Sequence, residues 1–234
     1  MTDIRDPRDL RDPALICAAL APLLGEERMR RIDEVVEARL SGLTVVVENL
    51  HDPRNGAAVL RSCEAFGLQT VHVVEAAERF RFSADVSQGC EKWMSVERHP
   101  TFPAAHARLQ AAGFALYAAV PDGKVPLEAL DFSRPAAIVV GNEHAGLTSG
   151  AIALCDVPFA IPMAGMTRSL NLSVATALIV SHAAGRRRAA LGRAGDLDDA
   201  ARMTLRARFY AASVRGADGV VARHAASAGS AAQR

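Results

Sequence analysis

The sequence predicts an α/β protein with a mostly parallel sheet and helices on both of its faces. Strand-like and helix-like segments alternate from residue 26 to residue 185. The strand segments are continuous runs of Val, Ile, Leu and Ala rather than alternating patterns, which marks strands covered on both sides. Half of the 234 residues are hydrophobic, enough for a sizeable core.

The elements follow in order. Residues 1–24 start polar and become weakly helical at PALICAALAPLL. EERMRRIDEVVEARL (26–40) spaces Met29, Ile32, Val35, Val36 and Leu40 by three and four, an amphipathic helix. LTVVVEN (43–49) is a buried strand. HDPRNGAAVLRSCEAFGL opens with turn residues and continues as a helix with Ala58, Val59, Cys63 and Phe66 on one face, stopped by Gly67. TVHVVE (70–75) is a second strand, and residues 104–112 form a helix ended by Gly113. FALYAAV (114–120), AAIVVG (136–141) and VPFAIPM (157–163) are further strands, and 169–184 is an apolar helix capped by Ser169. After Gly185 come a basic stretch, a surface helix, and a tail from 216 with too little bulk to pack. The divisions drawn are therefore an N-terminal extension (1–25), a main domain (26–185) and a basic C-terminal part (186–234).

Composition narrows the classes of function. No run of 18 apolar residues occurs, the first residues lack the apolar centre of a signal peptide, and Cys17, Cys63, Cys90 and Cys155 form no CxxC pair. A cytoplasmic protein without a zinc cluster or disulfide framework is expected. The net charge of +1 averages a C-terminal end of +6 (185–234) with −2 in 1–39 and −3 in 40–184. Such a basic end suits an anionic partner. Of the 27 basic residues, 25 are Arg, which we read, with the 46 Ala, as a compositional habit.

Three segments fall where open α/β sheets bind ligands, at the C-terminal ends of strands. In NGAAVLR, Asn55 suits a helix N-cap, and Arg61 lies six residues on, roughly 240° around the helix. In VVGNEHAGL, Gly141 and Gly146 bracket Asn142, Glu143 and His144; the spacing is neither GxGxxG nor a P-loop. In IPMAGMTRSLNLSVATAL, an irregular apolar loop carries Met163 and Met166, with Ser169 and Asn171 at the start of an apolar helix. No GxSxG or HExxH occurs, and the seven His show no metal-ligand spacing.

Taken together and in order, ENLHDPRNGAAVLRSCEAFG, VVGNEHAGLTSGAIALCD and IPMAGMTRSLNLSVATAL resemble the three motifs of the SpoU (TrmH-type) RNA ribose methyltransferases of the SPOUT class. SQGCEKWMSVERH (87–99) resembles that family's connecting segment, and ERMRRIDEVVEARLSGLTVVVENLHDP resembles the tRNA guanosine-2′-O-methyltransferase branch. The resemblance implies a SPOUT-type α/β fold with a deep C-terminal trefoil knot around 141–147 and 161–170. It implies a homodimer and S-adenosylmethionine bound at Ala119, Gly141, Ile161, Met163, Ser169 and Leu170. It further implies a catalytic set of Arg61, Asn55, Glu143, Ser169 and Asn171, with Glu143 holding Arg61 by a paired hydrogen bond. The expected reaction is methyl transfer to a ribose 2′-hydroxyl, most naturally of a tRNA D-loop guanosine. A 23S rRNA ribose, or a catalytically silent knotted RNA-binding protein, are the alternatives. For phosphate contacts, Arg30 and Arg31 on the first helix and Arg186, Arg187 and Arg188 after the site helix are the candidates. No metal ligand and no membrane contact are expected.

Overall fold

A computed structural model describes residues 12–75, 87 and 89–231. Residues 1–11 of the expected extension, Gln88 of the connecting segment and residues 232–234 of the expected loose tail lie outside the described residues, as do 76–86. Residues 40–196 form one compact unit; the described residues up to Arg39 and those from Leu197 onward form another. The divisions drawn from sequence stand instead at 25/26 and 185/186.

Among the described residues, the larger unit holds seven strands: β1 (Leu43–Glu48), β2 (Thr70–Val74), β3 (Ser95–His99), β4 (Ala115–Ala119), β5 (Val125–Pro126), β6 (Ala136–Val140) and β7 (Val157–Ala160). Their order is β3-β2-β1-β6-β4-β7-β5, and each neighbouring pair is parallel. The helices are α3 (Pro53–Ala65), α4 (Phe102–Ala111), α5 (Ser149–Leu154) and α6 (Leu172–Leu191). One face of the sheet, including Val45, Val47, Val71, Val73 and Ile138, packs on Val59, Leu60 and Cys63 of α3 and Ile179, Val180 and Ala183 of α6. The other, with Val46, Val74, Ala137 and Val139, packs on Phe102, Ala105 and Leu109 of α4 and Ala151 of α5. Successive strand residues thus point into two different cores, which is why the strands read as unbroken apolar runs.

Helix ends depart from the sequence reading for local reasons. Asp52, not Asn55, caps α3: its carboxylate accepts from the Arg54 N–H at 2.8 Å, with Pro53 next to it in the first turn. Asn171, not Ser169, caps α6, accepting from the Ser173 N–H at 2.9 Å. That helix passes through the exposed Gly185 and stops at Gly192, whose φ of 63° is the left-handed stop that Gly185 does not adopt.

Arg187 and Asp196 explain why the extension past Gly185 holds. Their side chains, 7% and 6% exposed, meet at 2.9 Å. Asp196 also accepts from the Gly42 N–H at 3.0 Å, and the Arg187 Nη1 donates to the Ser133 carbonyl at 2.9 Å. A Cβ on Gly42 would collide with the Arg187 guanidinium, so this pair also dictates glycine at 42.

The smaller unit contains α1 (Pro13–Leu20), α2 (Glu26–Glu37), α7 (Asp199–Ser213) and α8 (Ala217–Ala231). Helix α1 packs on α7 and α8, and α2 packs on α7. Arg202 meets Glu37 at 3.2 Å and Arg206 meets Asp33 at 2.6 Å across the α2–α7 pair. The segment 217–231, expected to be loose, is helical; its alanines supply helix propensity where bulk is lacking. No helix among the described residues is long and apolar enough to cross a membrane.

Burial of His72 on β2 sets a pH dependence. Burial first, then the neighbouring His99 and Arg108, push its pKa down from 6.5 to about 4. The unfolded chain therefore binds more protons between these values, so stability rises with pH across the window and is lost on acidification. Urea midpoints measured between pH 7 and 4.5 should fall, and His72→Gln should flatten that fall.

Candidate active site

The C-terminal ends of β1, β6, β4 and β7 lie side by side because their strands are neighbours and parallel. From these ends spring the β1–α3 turn, the 141–148 loop after β6 and the 161–171 loop after β7. All three sequence segments therefore converge at the C-terminal end of the sheet.

Two of the loops are joined through Glu143. Its Oε1 accepts from the Asn55 Nδ2 at 3.1 Å and the Asp52 N–H at 3.3 Å, while Oε2 accepts from the His51 N–H at 3.3 Å. The third loop enters through Asn171, whose Nδ2 donates to the Asn55 Oδ1 at 3.3 Å. Amide orientations are set from both ends of this chain. Asn171 must present its oxygen to the Ser173 N–H, so its nitrogen faces Asn55; Asn55 must then turn its own nitrogen to the acceptor-only Glu143. Glu143, Asn55 and Asn171 thus form one directed hydrogen-bond line.

The 141–148 loop is closed on itself. Asn142 and Gly146 exchange backbone hydrogen bonds at 3.0 and 2.9 Å. The Asn142 side chain accepts from the His144 and Ala145 N–H groups at 2.8 and 3.1 Å, and donates to the Asn49 carbonyl at 2.7 Å. Asn49 has a φ of 52°, which turns that carbonyl out of the β1 strand. A Cβ on Gly141 would collide with the Gly146 carbonyl carbon. The glycine is therefore needed by the loop's own close approach. At the loop's end, buried Glu48 accepts from the Thr148 N–H at 2.9 Å and hydroxyl at 2.8 Å, pinning the start of α5. Asp52, Asn142, Glu48 and Thr148 were missed as site-building residues; Asx-type turn chemistry at Asp52 and Asn142 was the signal available.

Arg61 does not join this line. It is exposed on α3 and, among the described residues, makes no ion pair. Its charge is felt instead at Cys90: burial pushes that thiol up to about 11, with nearby acidic groups adding to the rise and Arg61 opposing it. The expected paired hydrogen bond from Glu143 to Arg61 is replaced by the Asn55 and backbone contacts, because the two positions on α3 face different ways.

The cofactor candidates group by strand end. Ala119 ends β4, Gly141 follows β6 and Ile161 follows β7, three neighbours in the sheet. The loop that continues to Asn171 has exposed Met163, Met166 and Leu170, and Ser169 is exposed as well. Among the described residues, no backbone–backbone hydrogen bond is donated from Met163 through Leu170. Unpaired N–H groups beside apolar side chains suit a ligand with a flat apolar ring and polar edges.

The arginine candidates divide. Arg187 is buried in its pair with Asp196 and its bonds to the 132–133 carbonyls, so it is removed from the phosphate-binding set. Arg188 donates to the Ala194 carbonyl at 2.8 Å and the Phe66 carbonyl at 2.9 Å, a structural tie at the end of α6. Arg186 alone of the three is fully on the surface. Arg30 and Arg31 are exposed and lie 3.9 and 3.3 Å from Glu34 of the same helix.

Comparison with known proteins agrees with this layout. Residues 42–181 match the SpoU rRNA Methylase family. The tRNA (guanosine(18)-2′-O)-methyltransferase of Escherichia coli K12 is 39% identical over 157 residues, 67% of this chain and 69% of that protein. The enzyme of the same name from Thermus thermophilus is 38% identical over 159 residues, 68% of this chain and 82% of its own. Among solved structures, the Aquifex aeolicus TrmH/SpoU tRNA modifying enzyme superposes with a TM-score of 0.73 at 27% identity, covering 81% of this chain and 98% of that one. The SpoU methyltransferase AviRb from Streptomyces viridochromogenes, in complex with AdoMet, gives a TM-score of 0.57 at 29% identity, covering 65% and 62%.

Proposed function

Because this chain belongs to the SpoU rRNA Methylase family, we propose that it transfers a methyl group from S-adenosylmethionine to the ribose 2′-oxygen of guanosine 18 in the D-loop of tRNA. The observation that carries this reading is the 38–39% identity to two enzymes named for that reaction. When bound, S-adenosylmethionine supplies an electrophilic methyl group on a sulfonium. Ala119, Gly141, Ile161, Met163, Ser169 and Leu170 would hold it, using the unpaired backbone of the 163–170 loop and the apolar side chains there.

The chain's own residues have to position the ribose and manage its charge. Holding the hydroxyl in line with the methyl carbon supplies the effective concentration. As the O–CH3 bond forms the S–CH3 bond breaks to release the neutral thioether, and negative charge develops on the oxygen as its proton passes to solvent water. A guanidinium keeps its proton in proteins, so Arg61 acts as a clamp on phosphate and on that developing charge rather than as a base. Asn55 and Asn171, oriented by Glu143, shape the ribose pocket.

A second copy of this chain is the proposed partner. Val174 and Leu178 are exposed on α6 and line a groove of about 390 Å³ with Ala58, Ser62 and Phe66 of the α3 region, next in sequence to Arg61. An exposed apolar face beside the site calls for cover. A homodimer would let Arg61 of one copy serve a site completed by the other. We further propose that the segments 141–147 and 161–170 belong to a deep trefoil knot, a rare exception to unknotted chains. A cytoplasmic location goes with the tRNA substrate.

Phosphate contacts are assigned to Arg186, Arg30 and Arg31. Arg186→Ala should lower the salt slope of tRNA binding by about one, with melting temperature unchanged. Arg187→Ala should lower the melting temperature instead. Tritium transfer from labelled S-adenosylmethionine to tRNA and 23S rRNA transcripts tests the activity. Incorporation into tRNA is expected; incorporation into rRNA alone selects the rRNA reading, and none into either leaves an RNA-binding protein.

A further inference from the structure

We propose that His72, Glu97 and His99 form a site for one divalent transition-metal ion of the Zn²⁺ class. The site lies on the edge strand β3 and its neighbour β2, outside the β1, β6, β4 and β7 ends that carry the methyl-transfer residues, and does not depend on that activity.

Strand register builds it. His72 on β2 pairs with Glu97 on β3, and Val74 pairs with His99. Residues two apart on a strand share a face, so His72, Glu97 and His99 project together. The His72 Nδ1 lies 2.9 Å from the His99 Nε2 and 3.7 Å from the Glu97 Oε2. One ligand atom from each residue falls within 4.8 Å of the others. Around a tetrahedral ion with bonds of about 2.0–2.1 Å, ligand atoms stand about 3.3 Å apart. The two printed separations bracket that value and the third lies within 4.8 Å, so a turn of the partly exposed Glu97 carboxylate closes the set.

The chemistry of the donors agrees. Burial lowers the pKa of both imidazoles, which favours the neutral rings that ligate metals. The proton held between His72 Nδ1 and His99 Nε2 moves to the other nitrogen of its ring when an ion takes its place. His72 is buried, whereas Glu97 and His99 are partly exposed, which leaves an approach from solvent and room for water as a fourth ligand. Two imidazoles and one carboxylate select Zn²⁺, Co²⁺ or Ni²⁺ over Mg²⁺ or Ca²⁺. One competitor is present: the Arg108 Nε lies 3.8 Å from the Glu97 Oε2. That side chain is 62% exposed and can swing into water when a cation takes its place. Because His72 is separated by 25 and 27 residues from its partners, no spacing in the sequence announces the set, and only the parallel pairing assembles it. A bound ion would clip the edge strand β3 to β2.

The test is Zn²⁺ titration of the chelator-stripped full-length protein by calorimetry, with Co²⁺ absorption as a second readout. One equivalent per chain at micromolar affinity is expected. His99→Ala and Glu97→Gln should each weaken it roughly tenfold or more. Arg108→Ala, on an exposed helix surface where folding is not at risk, should tighten it several-fold by removing the competing charge. Absence of one-equivalent binding in the unmodified protein overturns the proposal, as does binding indifferent to all three substitutions.

Discussion

Replacing Arg61 by alanine is expected to lower kcat for methyl transfer to tRNA by about 10²–10³-fold, the cost of removing one charged donor from a developing oxyanion. Cofactor affinity should stay nearly unchanged, because the proposed S-adenosylmethionine residues lie at the ends of β4, β6 and β7 and on the 161–170 loop, not on α3. Arg61→Lys should recover little, since an ammonium cannot reproduce a two-pronged contact to phosphate. Folding should be unaffected: Arg61 is exposed and, among the described residues, makes no ion pair that would be left broken. Single-turnover methyl transfer and cofactor titration together check this. Near-full activity in Arg61→Lys would exclude the two-pronged role, and loss of cofactor binding in Arg61→Ala would show that Arg61 belongs to the cofactor pocket.

Asp196→Ala is expected to cost about 3–5 kcal/mol of stability, as breaking a buried ion pair from one side does. The carboxylate meets Arg187 at 2.9 Å and accepts from the Gly42 N–H at 3.0 Å and the Ser41 hydroxyl at 3.0 Å. Its loss leaves a nearly buried guanidinium with only the carbonyls of 132 and 133, and strips a backbone donor of its partner. For a chain of this size a drop of roughly 10 °C or more in melting temperature follows. Replacing Arg187 by Met in the same chain should recover part of the loss, because the orphaned charge is then gone. A denaturation midpoint for Asp196→Ala equal to that of the unmodified protein would contradict the account of why α6 runs past Gly185.

The main strands were legible because each sits between two cores: Val45 and Val47 face α3 and α6, Val46 faces α4, and every position asks for an apolar residue. β3 was not legible, since SVERH is a half-exposed edge strand whose polar residues resemble a loop. Helix ends misled where two residues of the right type competed. Asp52 outranked Asn55 as cap, which released the Asn55 amide for Glu143. Gly192 outranked Gly185 as stop, a choice settled by Arg187 reaching Asp196, nine residues further on. The same reach turned a run of three arginines, read as one basic cluster, into one surface residue and two structural ties. The three segments do come together, at the C-terminal ends of neighbouring strands. Which atom meets which was not, because Arg61 and Asn55 share a helix yet face apart, and only the folded helix decides which one Glu143 receives.

Methyl transfer by this protein should reach a single ribose of tRNA. Unmodified tRNA incubated with the protein and S-adenosylmethionine, then digested and mapped by mass spectrometry, tests it most directly. One added methyl group is expected, as 2′-O-methylguanosine at position 18 in the D-loop. A methyl group on a base, on a different nucleotide, or on no nucleotide at all would contradict it.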